Sequence, residues 1–467
     1  MTDQAYRDLR QWLSHLSASD RLALAKPGMA LRHEVAALAK RLENESAVLF
    51  PSPDQHAVPV VANLLADRGW IAESLGVPED QLIERYQQAV REPLAWTEVG
   101  QGPVHDVVHR DVDIIRQLPV PTHNELDSGP YIAAGLMIAR NPETGVQNVS
   151  IHRCQISGKD RIGVLLLPRH TFEYSEMAAR RGEALEIAIV IGVDPASLLA
   201  SQAIVPLDFD EMTIAGALHG APVEMVKCQT NSVRVPAKAE IVLEGRILKN
   251  EKAPEGPFGE FPQYYGARAE RHVIQVDAIC HRERPIFHTI VGGGTEHLLL
   301  GGLPREATLL DTLQRSFSCV RNVHLSLGGV CRYHLVVQVE RPQPGQAKNV
   351  MLGAFAGHYD VKQVIVVDGD VDIYNADEVA WAVATRFQAD RDLVVVAGSQ
   401  GSKLDPTTDG GVGAKMGLDA TVPADADEFA FTRIRVPGAD ELDPVSVVES
   451  DGAAIADIIS SAIDGDG

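Results

Sequence analysis

Between residues 105 and 292 the apolar residues fall in short β-branched runs, at 131–139, 162–167, 188–191, 239–248 and 272–279, cut apart by Gly, Pro and Asp clusters. Runs of that length and spacing read as strands, so the middle of the chain is expected to be a sheet-rich domain whose loops carry its chemistry. The flanks have a different texture. Residues 1–104 alternate helical patterns at 6–16, 31–42 and 82–90 with short apolar runs such as 47–50, an α/β texture. Past a Gly-rich stretch at 292–294, a helical pattern over 304–317 predicts a linker helix within 301–322. Residues 323–467 then read as a second α/β region, with strands at 333–339, 364–367 and 393–397. A helix opens there at Asn375, a good N-cap followed by the acids Asp377 and Glu378. An apolar pattern at 445–463 predicts a docking or dimerisation helix before an Asp-Gly-Asp-Gly tail. A chain of 467 residues exceeds one core, so an α/β multidomain protein is expected.

A formal net charge of −22 disfavours nucleic-acid and anionic-membrane surfaces and leaves small-molecule chemistry. Cys154, Cys228, Cys280, Cys319 and Cys331 are odd in number and contain no C-x-x-C pair, which suggests neither a disulfide framework nor a zinc ribbon. No apolar run has the length of a membrane span, and the first residues lack a signal-peptide core; a cytoplasmic location is the expectation.

Glu255-Gly-Pro-Phe-Gly-Glu260 holds two carboxylates at the ends of a linker whose proline and glycines favour a shaped turn. Like charges close together, or one of them desolvated beside Phe258, would keep one carboxyl protonated near neutrality, as a proton donor requires. A solvated loop with two acids fits the same residues. Other segments carry less. Asp368-Gly-Asp-Val-Asp372 resembles the start of a calcium loop, but its twelfth position is Val379, and a strand-end turn is expected instead. Lys348 and Lys415, near glycines, could meet phosphate, but most such lysines sit in plain solvated turns and neither is taken as a site residue.

Six further motifs occur in one order: Asn148-Val-Ser-Ile-His-Arg153, Gly158-Lys159, Pro168-Arg-His170, Glu211-Met-Thr-Ile-Ala-Gly216, Glu224-Met-Val-Lys-Cys228 and Gly413-Ala-Lys-Met-Gly-Leu-Asp-Ala-Thr421. Together with Glu255 and Glu260 the set resembles the UbiD family of decarboxylases over roughly residues 100–425. The resemblance implies a split-barrel flavin-binding domain at 105–300. It also implies a reversible, non-oxidative decarboxylase of aromatic or α,β-unsaturated acids that releases CO2. The implied cofactors are prenylated FMN, made by a separate flavin prenyltransferase, a divalent ion (Mn²⁺ or Mg²⁺) and K⁺, in a homodimer or higher homo-oligomer.

Carried over by position, Glu260 is the proton-donating acid, with Arg153 and Glu255 in the ion-pair network that orients it. Asn148, His170 and Glu211 match the metal ligands, and with Ile151, His152, Arg153 and Arg169 they make up the cofactor-binding set. A decarboxylase needs an electron sink that side chains supply poorly, which is the reason for the flavin. In an ideal strand Asn148 and Arg153 face opposite sides, so one site needs a bulge or a strand end between them. For the substrate, His297 and Arg305 flank the apolar 298–303 segment, read as a loop, where they could meet a ring heteroatom or a second carboxylate. A loop histidine and a helix-capping arginine explain them equally. With aromatics at 5%, stacking platforms are few and a compact ring is favoured: furan, pyrrole or indole type. Two other classes stay open, a flavin-binding protein without lyase activity and a metal-dependent hydrolase; the lack of a compact H-E-x-x-H motif weighs against the second.

Overall fold

A nine-stranded sheet, antiparallel at every pairing, lies at the centre of the computed structural model, which describes residues 5–423, 425–439, 441–448 and 451–464. Its strands run in the order Tyr131–Ile132, Cys154–Ile156, Arg161–Val164, Ala269–His281, Ile241–Glu255, Leu185–Ile191, Leu136–Arg140 and Gln147–Ile151, with Val107–His109 paired to Ala269–His281. It curls into a half-barrel. Leu185–Ile191 is buried at every position except Glu186, which accounts for an apolar run without clean alternation.

The strand expected at 239–248 continues to Glu255. Its extension was masked because Lys249, Asn250, Glu251 and Lys252 are exposed or half-buried, so the apolar period stops while pairing resumes from Lys252↔His272 to Glu255↔Ala269. Glu255 is therefore fixed at the end of a long ladder.

On one flank Leu22–Leu24, Ala47–Phe50 and Val60–Ala62 form a small sheet completed by Phe287–His288 from far along the chain. The other flank is a mixed five-stranded sheet in the order Val320–Leu325, His334–Val339, Gln363–Asp368, Val412–Ala420, Leu393–Gln400. Asn375 caps the helix Ala376–Arg386 by accepting from the amides of Asp377 and Glu378. The strand Gln363–Asp368 ends where expected, and Arg386 grips both Asp368 and Asp370.

Three readings change. The linker helix is longer than its pattern: it runs Thr295–Ser316 and absorbs the 298–303 segment expected as a loop, together with His297 and Arg305. Gly301, Gly302 and Pro304 lower its intrinsic propensity, and burial of Leu298, Leu299, Leu300 and Leu303 against neighbouring helices overrides that local cost. Lys348 lies in an unanticipated helix, Gln346–Gly357, and donates to the carbonyl of Arg391. Lys415 lies in the strand Val412–Ala420 and donates to the carbonyls of Tyr359 and Val361.

Residues 422–467 form a separate unit, in which the pattern expected over 445–463 is divided between the helices Pro444–Val447 and Gly452–Asp464. No helix among the described residues is long and apolar enough to cross a membrane.

Candidate active site

The strand Gln147–Ile151 ends two residues before Arg153, and a new strand begins at Cys154. That break resolves the parity problem: Asn148 points from the strand, while Arg153 leaves from the turn beyond it. The Arg153 side chain is 7% exposed and bonds two carboxylates, with Nη2 donating to Glu255 Oε2 at 2.7 Å and Nη1 donating to Glu260 Oε1. Its planar fork suits this bridging role.

Glu255 is fully buried, and its other oxygen accepts from the Tyr131 hydroxyl at 3.1 Å. Beyond it the chain turns through Gly256, whose φ of +90° lies in the region that favours glycine. Phe258–Gly259 then pairs with Tyr265–Gly266, so Glu260 sits at the mouth of a small hairpin. Asp127 secures that hairpin by accepting from Gly259 N at 2.8 Å. Phe258 packs on Tyr131 with ring centroids 4.4 Å apart and lies 5.7 Å from the Arg153 guanidinium.

Burial lifts the Glu260 carboxyl above its ordinary value; Arg153 opposes that shift and Glu255 adds to it. A carboxyl held up in this way keeps its proton to higher pH, the property a general acid needs. Arg153 Nε is buried and has no hydrogen-bond partner among the described residues, so one donor faces a place where a polar group is missing.

A second cluster forms on the neighbouring edge of the sheet. Glu211 precedes the helix Met212–His219, and His170 opens the helix His170–Arg180. Their side chains converge on Asn148: its amide nitrogen is 2.7 Å from Glu211 Oε1 and 3.3 Å from His170 Nδ1, and His170 and Glu211 are 3.9 Å apart. Glu211 Oε2 also accepts from Val149 N at 2.6 Å, and Thr171 donates to Asn148 Oδ1 at 2.9 Å. Burial pushes the Glu211 carboxyl up to about 8, against the pull of the Val149 amide, and burial lowers His170.

An amide nitrogen wedged between a carboxylate and an imidazole nitrogen occupies the place a shared cation would take. Turning that amide presents its oxygen, and the resulting O, N, O set suits a hard or borderline divalent ion. His152 lies between the two clusters, bonded to Ser150 Oγ at 2.9 Å and facing the Leu165 carbonyl, and burial lowers it to about 4. Ile151 is half-buried beside it.

His297 and Arg305 are placed together, but on the helix Thr295–Ser316. The turn before this helix packs on the acid hairpin: a side chain on Gly292 would meet Gly259 O at 2.3 Å. His297 Nδ1 accepts from Gly293 N, and burial followed by Arg332 and Arg305 lowers it to about 3. Arg305 donates to the Gly301 carbonyl, and its Nε is buried without a partner among the described residues. Around it lie Arg332, pushed down to about 9 by burial and then by Arg305, and His358, pushed down to about 2 by burial and the surrounding cations. Arg332 also stands 5.0 Å over the ring of Phe261, the residue after Glu260. Arg169 reaches toward the same cluster, donating to the Tyr359 hydroxyl at 2.5 Å. Asp360 is the acid among these groups, 3.9 Å from Arg305 Nε, and its Oδ1 is unbonded among the described residues.

Sequence reasoning did not find Arg332, His358 or Asp360, which lie in no motif, nor Tyr131, whose strand gave no hint of its hydroxyl.

Three family models match in succession. They are the N-terminal, Rift-related and C-terminal domains of 3-octaprenyl-4-hydroxybenzoate carboxy-lyase, over residues 13–90, 97–295 and 298–420. The chain is similar to the UbiD-class enzyme HmfF from Pelotomaculum thermopropionicum solved with FMN, at 45% identity over 94% of this chain and 100% of that one, with a TM-score of 0.93. An evolved dimeric form of the same enzyme, solved with prFMN, matches at 43% identity and a TM-score of 0.89, covering 95% of this chain and 100% of that one. Among curated relatives, an anhydromevalonate phosphate decarboxylase from Methanothermobacter thermautotrophicus is 39% identical over 82% of this chain and 90% of its own. A gallate decarboxylase from Lactiplantibacillus plantarum is 31% identical over 79% and 82%.

Proposed function

Because the chain belongs to the UbiD family of carboxy-lyases, we propose that it is a prenylated-FMN decarboxylase of a small planar acid that carries a second anionic group. The observation behind the substrate is the buried group of Arg305, Arg332, His297 and His358, in which Asp360 is the acid. Cations held this far from water without matching charge are costly unless an anion joins them. Arg332 stands over Phe261, the residue after Glu260, which favours a short acid held between this group and the acid hairpin. We read it as a furan, pyrrole or benzene ring with two carboxylates.

The prenylated flavin, when bound, supplies the electron sink that lets the carbon–carbon bond to CO2 break. In this reading Asn148, His170 and Glu211 would hold Mn²⁺ or Mg²⁺, whose charge would offset that of the flavin phosphate, and Ile151, His152 and Arg169 would contact the cofactor. Arg153 directs its free Nε and its fork toward the reacting carboxylate, held in place by Glu255. Glu260 keeps its proton through burial and delivers it to the carbon that CO2 has left. Arg305 and His297 hold the far carboxylate and keep the ring in register with Glu260.

The test uses protein coexpressed with a flavin prenyltransferase and handled anaerobically. Furan, pyrrole, benzene and cinnamate acids are compared with and without a second carboxylate, by CO2 release and by deuterium exchange into product. Diacids should exceed their monoacid analogues by up to ~10⁴-fold in kcat/KM, because the monoacids leave buried cations unpaired. Equal rates would refute the substrate assignment. Preference for a phosphate-bearing enoic acid would support a second reading, favoured by the 39% identity to the anhydromevalonate phosphate decarboxylase.

A further inference from the structure

Far from this site, the opposite end of the strand Ile241–Glu255 carries a group of metal-ligating side chains that the decarboxylase reading does not use. Glu244 and Cys280 come from adjacent antiparallel strands, and Val242, two residues from Glu244 and on the same face, pairs with Cys280. Both residues are fully buried. His105 ends the short turn Pro103–His105, which joins the N-terminal region to the sheet. Its Nε2 lies 3.7 Å from Glu244 Oε1, and Cys280 Sγ lies 3.4 Å from the same oxygen. One donor atom from each of the three falls within 4.8 Å of the others.

Two features separate this group from an ordinary ion pair. The His105 side chain is only 9% exposed, and its Nε2 is buried without a hydrogen-bond partner among the described residues, aimed at the carboxylate from beyond bonding distance. A gap of that length between imidazole and carboxylate is what two ligands of one tetrahedral ion leave, at about 2.0–2.2 Å each from its centre. Glu244 is also pre-set as an anion: it accepts from the amides of Gln229 and Thr230 at 2.8 and 2.6 Å and from the Thr230 hydroxyl at 2.7 Å. Gln229 Nε2 lies 3.2 Å from His105 Nδ1; with that amide turned, its oxygen accepts from Nδ1–H and leaves the Nε2 lone pair free. Cys228, buried next to the strand Glu224–Lys227, is close enough to interact with Glu244 and Cys280 alike.

We propose that His105, Glu244 and Cys280, with a water in the fourth position, form a site for a thiophilic divalent ion, zinc by preference. The mixed sulfur, nitrogen and oxygen donors fit zinc better than the all-oxygen-leaning ions expected beside Asn148. On binding, the ligating thiol releases its proton to solvent and becomes a thiolate. One thiolate and one carboxylate then balance the two positive charges of the ion, with His105 neutral. Glu244 and Glu255 are separated by roughly 30 Å of strand, so the ion takes no part in decarboxylation. Its effect is to clamp the Pro103–His105 turn onto the two longest strands of the sheet.

Cobalt and zinc titrations of the full-length protein test this, run in wild type and in Glu211→Ala so that the Asn148 cluster cannot supply the signal. Glu211→Ala should bind one equivalent of cobalt and wild type up to two, each with one thiolate-to-cobalt charge-transfer band. Cys280→Ser should lose the band and at least ~100-fold in zinc affinity, since even an outer partner such as Gln229 is worth 10–100-fold. His105→Gln, at a turn where folding is least at risk, should keep the band but lose the affinity. Zinc should raise the melting temperature of wild type and leave that of Cys280→Ser unchanged, with the far-ultraviolet circular dichroism of the two alike. A band that survives in Cys280→Ser, one that disappears in Glu211→Ala, or a Cys228–Cys280 disulfide in freshly prepared protein would each overturn the proposal.

Discussion

Gly266 pairs with Phe258 across the acid hairpin, and a Cβ at this position would stand 2.5 Å from Arg153 Nη1 and 3.3 Å from Glu260 Cγ. Gly266→Ala is therefore a probe of how finely Arg153 must be placed. A comfortable non-bonded separation is about 3.5 Å, so the guanidinium must withdraw by about 1 Å. Its 2.7 Å bond to Glu255 would then stretch past hydrogen-bonding range. What moves is the tip of a flexible side chain, so the stability cost is that of a weakened charged hydrogen bond, about 1–2 kcal/mol. The rate should suffer more. Misplacement by about 1 Å costs ~10²-fold, or about 2.7 kcal/mol of transition-state stabilisation. The assay is single-turnover and steady-state decarboxylation at matched flavin content, with the thermal midpoint followed in parallel. In an Arg153→Ala background Gly266→Ala should add nothing, because both changes remove the same group. A kcat within about threefold of wild type, or a second ~10²-fold loss in the double variant, would refute the argument that this glycine exists to admit the guanidinium.

Glu260→Gln should retain flavin and lose at least ~10²-fold in turnover, read by deuterium exchange into product; a near-normal rate would move the acid elsewhere. Glu211→Ala and His170→Ala should purify with reduced flavin and divalent metal, since they unbalance the charge beside a phosphate; full occupancy by elemental analysis and absorbance would show that neither is a ligand. Manganese affinity should rise by about tenfold per pH unit up to pH 8 and level off above it, as Glu211 must shed its proton to bind while His170, lowered by burial, is already neutral. In metal-free protein the sign reverses. The native state holds the Glu211 proton longer than the unfolded chain, so stability should fall as pH rises from 4.5 to about 8, by up to roughly 5 kcal/mol, and Glu211→Gln should flatten that slope in denaturant titrations.

The pairing of Glu255 with Glu260 was legible because the linker carries its own grammar of proline and glycines, whereas Arg153 joined them only through resemblance. Asn148, His170 and Glu211 could be grouped only through resemblance, since no local spacing links residues on a strand and at the starts of two helices. The strand end after Ile151 was required by parity before it was seen. Two things were hidden. Helix Thr295–Ser316 was disguised by Gly301, Gly302 and Pro304, whose poor propensity is overridden by burial that no single sequence displays. The polar group around Arg305 draws on the cations Arg332 and Lys415 and on the neutral His358, which fall on separate elements and become neighbours only when the C-terminal sheet packs against that helix.

In the proposed site Glu255 ends the ladder of the central sheet and Glu260 follows on the hairpin beyond it, whereas Arg305 and His297 ride on a later helix and Arg332 comes from beyond that helix. If these residues select the acid as proposed, exchange along 297–332 would rewrite which acid is admitted while the ladder ending at Glu255 stays untouched. A lineage built this way can try new diets by drift in one stretch of chain, without ever passing through an ancestor that has lost the reaction itself.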